Sequence, residues 1–265
     1  MRMRITGLRL LLMTIMAVAA YADDWTRQWP VSGKVELRVD VDDGRVIIQG
    51  GESRQVEARV ITSGYRIAPG EVTVTEHVNG ANISLDVRVP QSSRWLNVNN
   101  RSIRVEVRVP RESSINVRTG DGSIHTEEVH GALRLKTGDG RIEAIAVEGS
   151  LQAETSDGSI RVRGRFDLLN LNTGDGSIEA EVNPGSKMTG SWDLHTSDGH
   201  VTLTLPDGFS AELNAHTNDG RVQVDLPVSS DNFDGSKGEF RGKLNNGGPA
   251  LRIRTGDGGI RLARR

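Results

Sequence analysis

Cysteine is absent from these 265 residues. That excludes a disulfide framework, a thiolate metal site and a cysteine-linked lipid anchor. Aromatic residues are scarce, at 4% of the chain, within an apolar share of 35%. A layered globular domain of this length usually fills its core with more Phe, Tyr and Trp. A thin stacked column has a narrow aliphatic core and needs fewer. Outside the N-terminal leader no segment keeps a helical apolar period over ten residues or more. Catalytic signatures are missing as well: there is no HExxH, GxSxG, P-loop or dinucleotide fingerprint. His195, Ser197 and Asp198 occur together, but on one tight strand-turn they cannot face one another as a triad does. The chain reads as a non-enzyme, with no catalytic residue, no cofactor site and no metal ligand set.

Positive charge is not in surplus either. The formal net charge is −2. Residues 1–22 read as a bacterial signal peptide, with Arg2 and Arg4 at the start, an apolar run from Leu10 to Ala20, and Ala20-Tyr21-Ala22 as a small-x-small cleavage site. The run is short for a membrane span of roughly 20 residues. Removing the leader takes away three arginines and moves the charge from −2 to −5. A mildly acidic exported chain argues against nucleic acid and against an anionic membrane surface. The mature chain offers no transmembrane segment, and the expected location is the periplasm or the cell surface.

What the sequence does have is a repeat. TGDGSI, TGDGRI, TSDGSI and TGDGSI begin at Thr119, Thr137, Thr155 and Thr173, 18 residues apart each time. Looser copies follow at Thr196, Thr217 and Thr255, and a degenerate VDDGRV begins at Val41. A fixed short period means stacked units. Aliphatic residues recur four and two positions before each threonine, as in Leu133 and Leu135 or Leu169 and Leu171. They recur again five and seven positions after it, as in Ile142 and Ala144 or Ile160 and Val162. Each unit thus holds two short alternating strands joined by a Gly/Asp turn. Hexapeptide periodicity fails, because six residues after Ile124 stands His130. The spacing predicts an all-β fold: one elongated β-solenoid, parallel β-helix-like and two-sided, built of ~18-residue TxDGx[IV] coils. Residues 23–265 form its domain, with irregular coils over 23–114 and regular repeats over 115–265.

In the irregular half, Val35, Leu37, Val39 and Val41 alternate with polar residues and lead into Asp43-Gly44. Further strands are expected over 56–61, 72–78, 81–89 and 103–109, and Asn79-Gly80 signals a two-residue hairpin. Two departures interrupt the regular half. About five extra residues lie near Asn183-Pro184-Gly185, and a longer excursion runs from Ser229 to Gly248 with Phe233 and Phe240. Such an excursion either projects as a recognition loop or folds back to cap the column.

The turn residues are Asp121 and Gly122, Asp139 and Gly140, Asp157 and Gly158, Asp175 and Gly176, Asp198 and Gly199, Asp219 and Gly220, Asp257 and Gly258. Glycine is expected to supply a positive φ, and aspartate to bond the N–H groups downstream of it. The threonine hydroxyl is expected to bond along the stack to the next threonine. Stacking would bring the carboxylates roughly 4.8 Å apart. One carboxylate per turn falls short of the several oxygens calcium requires, so a structural turn is the preferred reading over a calcium site. Outward positions pair opposite charges in Lys136–Glu154 and Glu143–Arg161–Glu179, and His195 and His216 are expected to stack as a pair.

The threonine–Asp–Gly–aliphatic repeats, the leader and the ending GGPALRIRTGDGGIRL resemble the bacterial putative-adhesin β-strand-repeat family, also called the toastrack family. The resemblance covers about residues 31–265. It implies a β-solenoid and an extracytoplasmic module of the cell envelope, with no catalytic residues to carry over. The expected function is non-enzymatic: an adhesin-like binding or scaffolding module. A polysaccharide-acting solenoid enzyme is the first alternative, but its catalytic carboxylate pair should be unique to a few coils, whereas here the acids recur in every turn. A calcium-stabilised surface repeat is the second. The partner is an envelope protein, a glycan, or another copy bound through the column ends.

Overall fold

A computed structural model describes residues 22–89, 101–234 and 238–265; the leader expected over residues 1–22 lies outside them apart from Ala22. Every regular element among the described residues is a β-strand. The first seven are β1 (Ala22–Pro30), β2 (Val35–Val41), β3 (Arg45–Gly51), β4 (Gln55–Ser63), β5 (Thr73–Asn79), β6 (Asn82–Arg88) and β7 (Ser102–Pro110). The middle of the chain gives β8 (Ser113–Thr119), β9 (Ile124–Glu127), β10 (His130–Lys136), β11 (Ile142–Thr155), β12 (Ile160–Thr173) and β13 (Ile178–Val182). The last eight are β14 (Trp192–Thr196), β15 (Val201–Leu205), β16 (Ala211–Thr217), β17 (Val222–Val224), β18 (Val228–Asp234), β19 (Glu239–Leu244), β20 (Ala250–Thr255) and β21 (Ile260–Arg264).

The strands form two ladders. The leading ladder holds the strand before each Gly/Asp turn, in the order β5-β6-β2-β8-β10-β11-β12-β14-β20-β16-β19-β18. The trailing ladder holds the strand after it, in the order β1-β4-β7-β3-β9-β11-β12-β13-β15-β21-β17. Strands β11 and β12 are long enough to pass from one ladder into the other. Pairing is parallel through the body of both ladders. Leu133 lies beside Ile115 on one side and Leu151 on the other, the 18-residue step expected from the motif. Between Leu171 and Leu194 the step lengthens to 23, which absorbs the extra residues around Asn183-Pro184-Gly185.

Alternation puts one face of each ladder into a shared aliphatic core. Leu133, Leu135, Leu151, Leu169, Ile142 and Ile160 are all at most 4% exposed. The core widens where the step lengthens. There Trp192 sits edge-on to Phe166 at 6.4 Å and tilted against Phe209 at 5.3 Å. Its indole N–H donates to the Asp167 carbonyl, as a buried Trp requires.

The two ends depart from the middle. Antiparallel strands close them: β5 and β6 form the hairpin that Asn79-Gly80 signalled, though its loop is Gly80-Ala81 between the paired Asn79 and Asn82, and β1, β4 and β7 pair antiparallel in series. At the other end β19 runs antiparallel to β16 and β18 to β19, so the two strands described within the 229–248 excursion extend the leading ladder. The order of coils also changes. The 35–51 coil lies between the 82–110 and 113–127 coils, and the last coil, β20–β21, lies between β14–β15 and β16–β17.

Candidate functional site

The seven sequence-predicted turns line up along one edge of the column, where the leading ladder crosses to the trailing one. Their chemistry differs from the expectation in three respects. First, none of Gly122, Gly140, Gly158, Gly176, Gly199, Gly220 and Gly258 has a positive φ. Glycine is needed there because the coils approach too closely for a side chain. A Cβ on Gly158 would lie 2.0 Å from the Gly140 carbonyl oxygen, and one on Gly140 would lie 2.1 Å from that of Gly122.

Second, the threonine hydroxyls do not bond one another. Each donates to the motif-glycine carbonyl of the neighbouring coil: Thr137 to Gly122 at 2.7 Å, Thr155 to Gly140 at 3.0 Å and Thr173 to Gly158 at 2.8 Å. Thr196, Thr255 and Thr217 continue the chain to Gly176, Gly199 and Gly258. The same hydroxyl also accepts from the amide of its own turn glycine, as at Thr155 and Gly158. These threonines are 0–6% exposed; each hydroxyl donates to a glycine carbonyl, and those of Thr155, Thr173 and Thr196 also accept from a turn amide, as burial demands.

Third, the aspartates do not close Asx turns. Asp121, Asp139, Asp157, Asp175, Asp198, Asp219 and Asp257 are all exposed. Among the described residues no hydrogen bond or ion pair reaches their carboxylates, and no group of three or more His, Asp or Glu converges as a metal site. The turn edge is thus an acidic ridge whose backbone and hydroxyl groups are engaged in coil-to-coil contact.

Outward ladders follow the expected pattern in part. Lys136 pairs with Glu154 at 2.6 Å and Arg161 with Glu179 at 2.7 Å; Glu143 stands beside Arg161 in register, but its carboxylate bonds His125 on its other side. All are solvated pairs of small energetic weight. His195 and His216 do not stack. Arg254 lies between them, because the last coil is intercalated.

One concave feature was not legible in the sequence. The outer face of the leading ladder carries an open depression of about 840 Å3 that spans β5, β6, β2, β8, β10, β11 and β12. Five positions before the turn threonine the side chains are small: Ser114, Ala132 and Ser150. Asn82, Glu36 and Ser114 continue that row across β6, β2 and β8. Two positions on, Asn116 lies between Arg38 and Arg134, and Arg134 donates to Gln152 at 3.2 Å. The β5 hairpin contributes Glu76, His77, Val78 and Asn79 at one end. The recurrence of small outward residues was visible in the sequence. What it lacked was the knowledge that β5 and β6 join the same face.

The Toastrack DUF4097 family pattern matches the chain twice, at residues 35–181 and 133–263. No curated protein matches. Among solved structures, the chain is similar to a "putative adhesin" from Bacteroides fragilis at 12% identity and a TM-score of 0.50, covering 91% of this chain and 97% of that one. It is similar to a "putative cell adhesion protein" from Clostridium sporogenes at 14% identity and a TM-score of 0.43, covering 91% and 100%. A "putative lipid binding protein" from Parabacteroides distasonis is similar at 13% identity and a TM-score of 0.41, covering 92% and 97%. At such identities the likeness concerns the fold alone.

Proposed function

The chain belongs to the Toastrack DUF4097 family, and from that premise we propose that it is a non-enzymatic binding or scaffolding module of the cell envelope. Residues 23–265 act as one β-solenoid unit, exported by the leader at 1–22 to the periplasm or cell surface. The observation that carries the reading is where the repeated polar chemistry goes. The buried threonine hydroxyls and glycine carbonyls are engaged in holding coil to coil, so the Asp-Gly turns are structural. That leaves the outer faces to meet a partner, whether an envelope protein or a glycan. Among the described residues no helix is long and apolar enough to cross a membrane.

Two assays test this. Purified 23–265 is expected to bind envelope fractions saturably and to show no turnover on a panel of bacterial glycans. Turnover abolished by a single Asp→Asn change would overturn the non-enzymatic reading. A fusion of residues 1–22 to a reporter is expected to export it, and retention in the cytoplasm would contradict the envelope assignment.

A further inference from the structure

We propose that the depression on the outer face of the leading ladder binds a neutral polysaccharide strand lying along the column axis. The proposal rests on the binding-module reading and names its partner class and surface. From Asn82 through Glu36, Ser114, Ala132 and Ser150 to Leu168 the floor crosses six strands. At a strand spacing of ~4.8 Å that is about 24 Å, room for an extended oligosaccharide of several units. The small Ser114, Ala132 and Ser150 make a trough in the middle of this row, and the longer Arg38, Arg134 and Gln152 stand along its side.

The lining chemistry decides the occupant. Asn79, Asn82, Ser84, Ser114, Asn116 and Gln152 are uncharged groups that each donate and accept hydrogen bonds, as sugar hydroxyls do. Asp40 pairs with Arg38 and Glu36 offsets Arg134, so the trough has no net field for a polyanion. Val78, 45% exposed, is the one well-exposed large apolar residue among those described. A protein interface or a lipid needs a larger apolar anchor. A second copy pairing through the β5 edge is opposed by Glu76, which sits opposite Leu85 on the core side of that strand. A charge so placed blunts an edge strand against further pairing.

One acceptor in the floor is unspent. The Asn116 amide oxygen is buried without a hydrogen-bond partner. Its register neighbours are engaged elsewhere, Arg38 with Asp40 and Arg134 with Gln152. The oxygen is covered by its neighbours, so a ligand hydroxyl reaches it by displacing the Arg38 or Arg134 side chain and then donates to it, which an anionic oxygen cannot do. With no aromatic stacking platform in the trough, affinity accumulates hydrogen bond by hydrogen bond and must grow with chain length.

The experiment is calorimetric titration of 23–265 with neutral β-1,4-linked glucose and N-acetylglucosamine oligomers of graded length, beside an anionic uronic acid oligomer. Expected is binding of a neutral series that tightens with length and is insensitive to salt. The blocking variants Ala132→Trp and Ser150→Arg, both on the outward face, should weaken it by at least about tenfold. Asn116→Ala should weaken it about fivefold. Thr202→Trp, on the outer face of the other ladder, should change nothing, and unchanged melting temperatures exclude misfolding. The proposal is overturned if no neutral oligomer binds, if only the anionic one does, or if the blocked variants bind like the parent. Envelope binding that persists in Ala132→Trp while neutral oligomers fail would sink this assignment and leave the module reading standing. Failure of the parent to bind envelope fractions at all would remove both.

Discussion

The middle of the column and its ends use the same turn motif and solve different problems with it. From β8 to β13 the coils stack in the order in which they occur in the sequence. At both ends that order breaks: the first coil, 35–51, lies inside the 82–110 coil, and the last, 250–264, lies inside the 211–224 coil. In each case the outermost coil is the one that carries antiparallel strands with it. The β5–β6 hairpin and β4 extend from the 82–110 coil, and β19 and β18 from the 211–224 coil. A parallel stack ends in open strand edges, which need closing. A coil with its own closing strands must sit outside, and one without them must be sheltered. The motif sets register between neighbours, and the caps decide which coils are neighbours.

The largest effect expected on this comparison comes from charging the middle of the core. Leu151 is 1% exposed, so Leu151→Asp buries an unpaired carboxylate and should cost about 4–5 kcal/mol by chemical denaturation. Glu154→Ala, three residues on and outward-facing, should stay within about 0.5 kcal/mol. Similar losses from the two would mean that the inward and outward faces are misassigned.

Next comes the glycine column. Gly158→Ala places a methyl group 2.0 Å from the Gly140 carbonyl oxygen with coils packed on both sides, and should cost about 3 kcal/mol. Gly220→Ala meets the Gly258 carbonyl oxygen at 2.3 Å, but its coil is the outermost of the parallel stack and Gly220 is exposed. That coil can yield, and the loss should be about 1 kcal/mol. Equal losses would remove the distinction between middle and end.

Much of this architecture was legible beforehand. The inward positions from Ile115 to Leu203, the 18-residue register and the Asn79-Gly80 hairpin all follow from period-two alternation and turn chemistry, which are local. The order of the ends was not legible, because Thr196, Thr217 and Thr255 head nearly identical motifs and nothing local says which should touch. That one ambiguity put His216 beside His195 in the expectation, where the structure has Arg254. The glycine role was misread for a related reason: a conformational need and a clearance need select the same residue, and only the distance to the next coil separates them. The depression depends on β5 and β6 joining a face otherwise built by β2 before them and by β8, β10, β11 and β12 after them, so Ser114, Ala132 and Ser150 read as ordinary surface.

A smaller effect distinguishes the ends by pH. The Arg59 guanidinium hydrogen-bonded to Asp24, and that of Arg264 to Asp207, hold those exposed carboxyls below the usual carboxylate range. A depressed folded value contributes stability above the unfolded carboxylate range and loses it as pH falls through the folded value. Both pairs lie towards the ends, on β1–β4 and after β15 beside β21. Acidification below the ordinary carboxylate range should therefore speed amide exchange in β1 and β21 before it does so in β10–β12, and uniform loosening would contradict this.

The order of the terminal coils can be tested directly because the chain has no cysteine of its own. His195 and Arg254 are register partners on adjacent strands, whereas His195 and His216 are separated by β20. Adjacent strands lie ~4.8 Å apart, and a pair two strands apart lies at about twice that, beyond disulfide reach. Oxidation of the His195→Cys/Arg254→Cys double variant should give an intramolecular disulfide, while His195→Cys/His216→Cys should remain reduced. A disulfide in the second pair and none in the first would show that the coils stack in sequence order and would contradict the account.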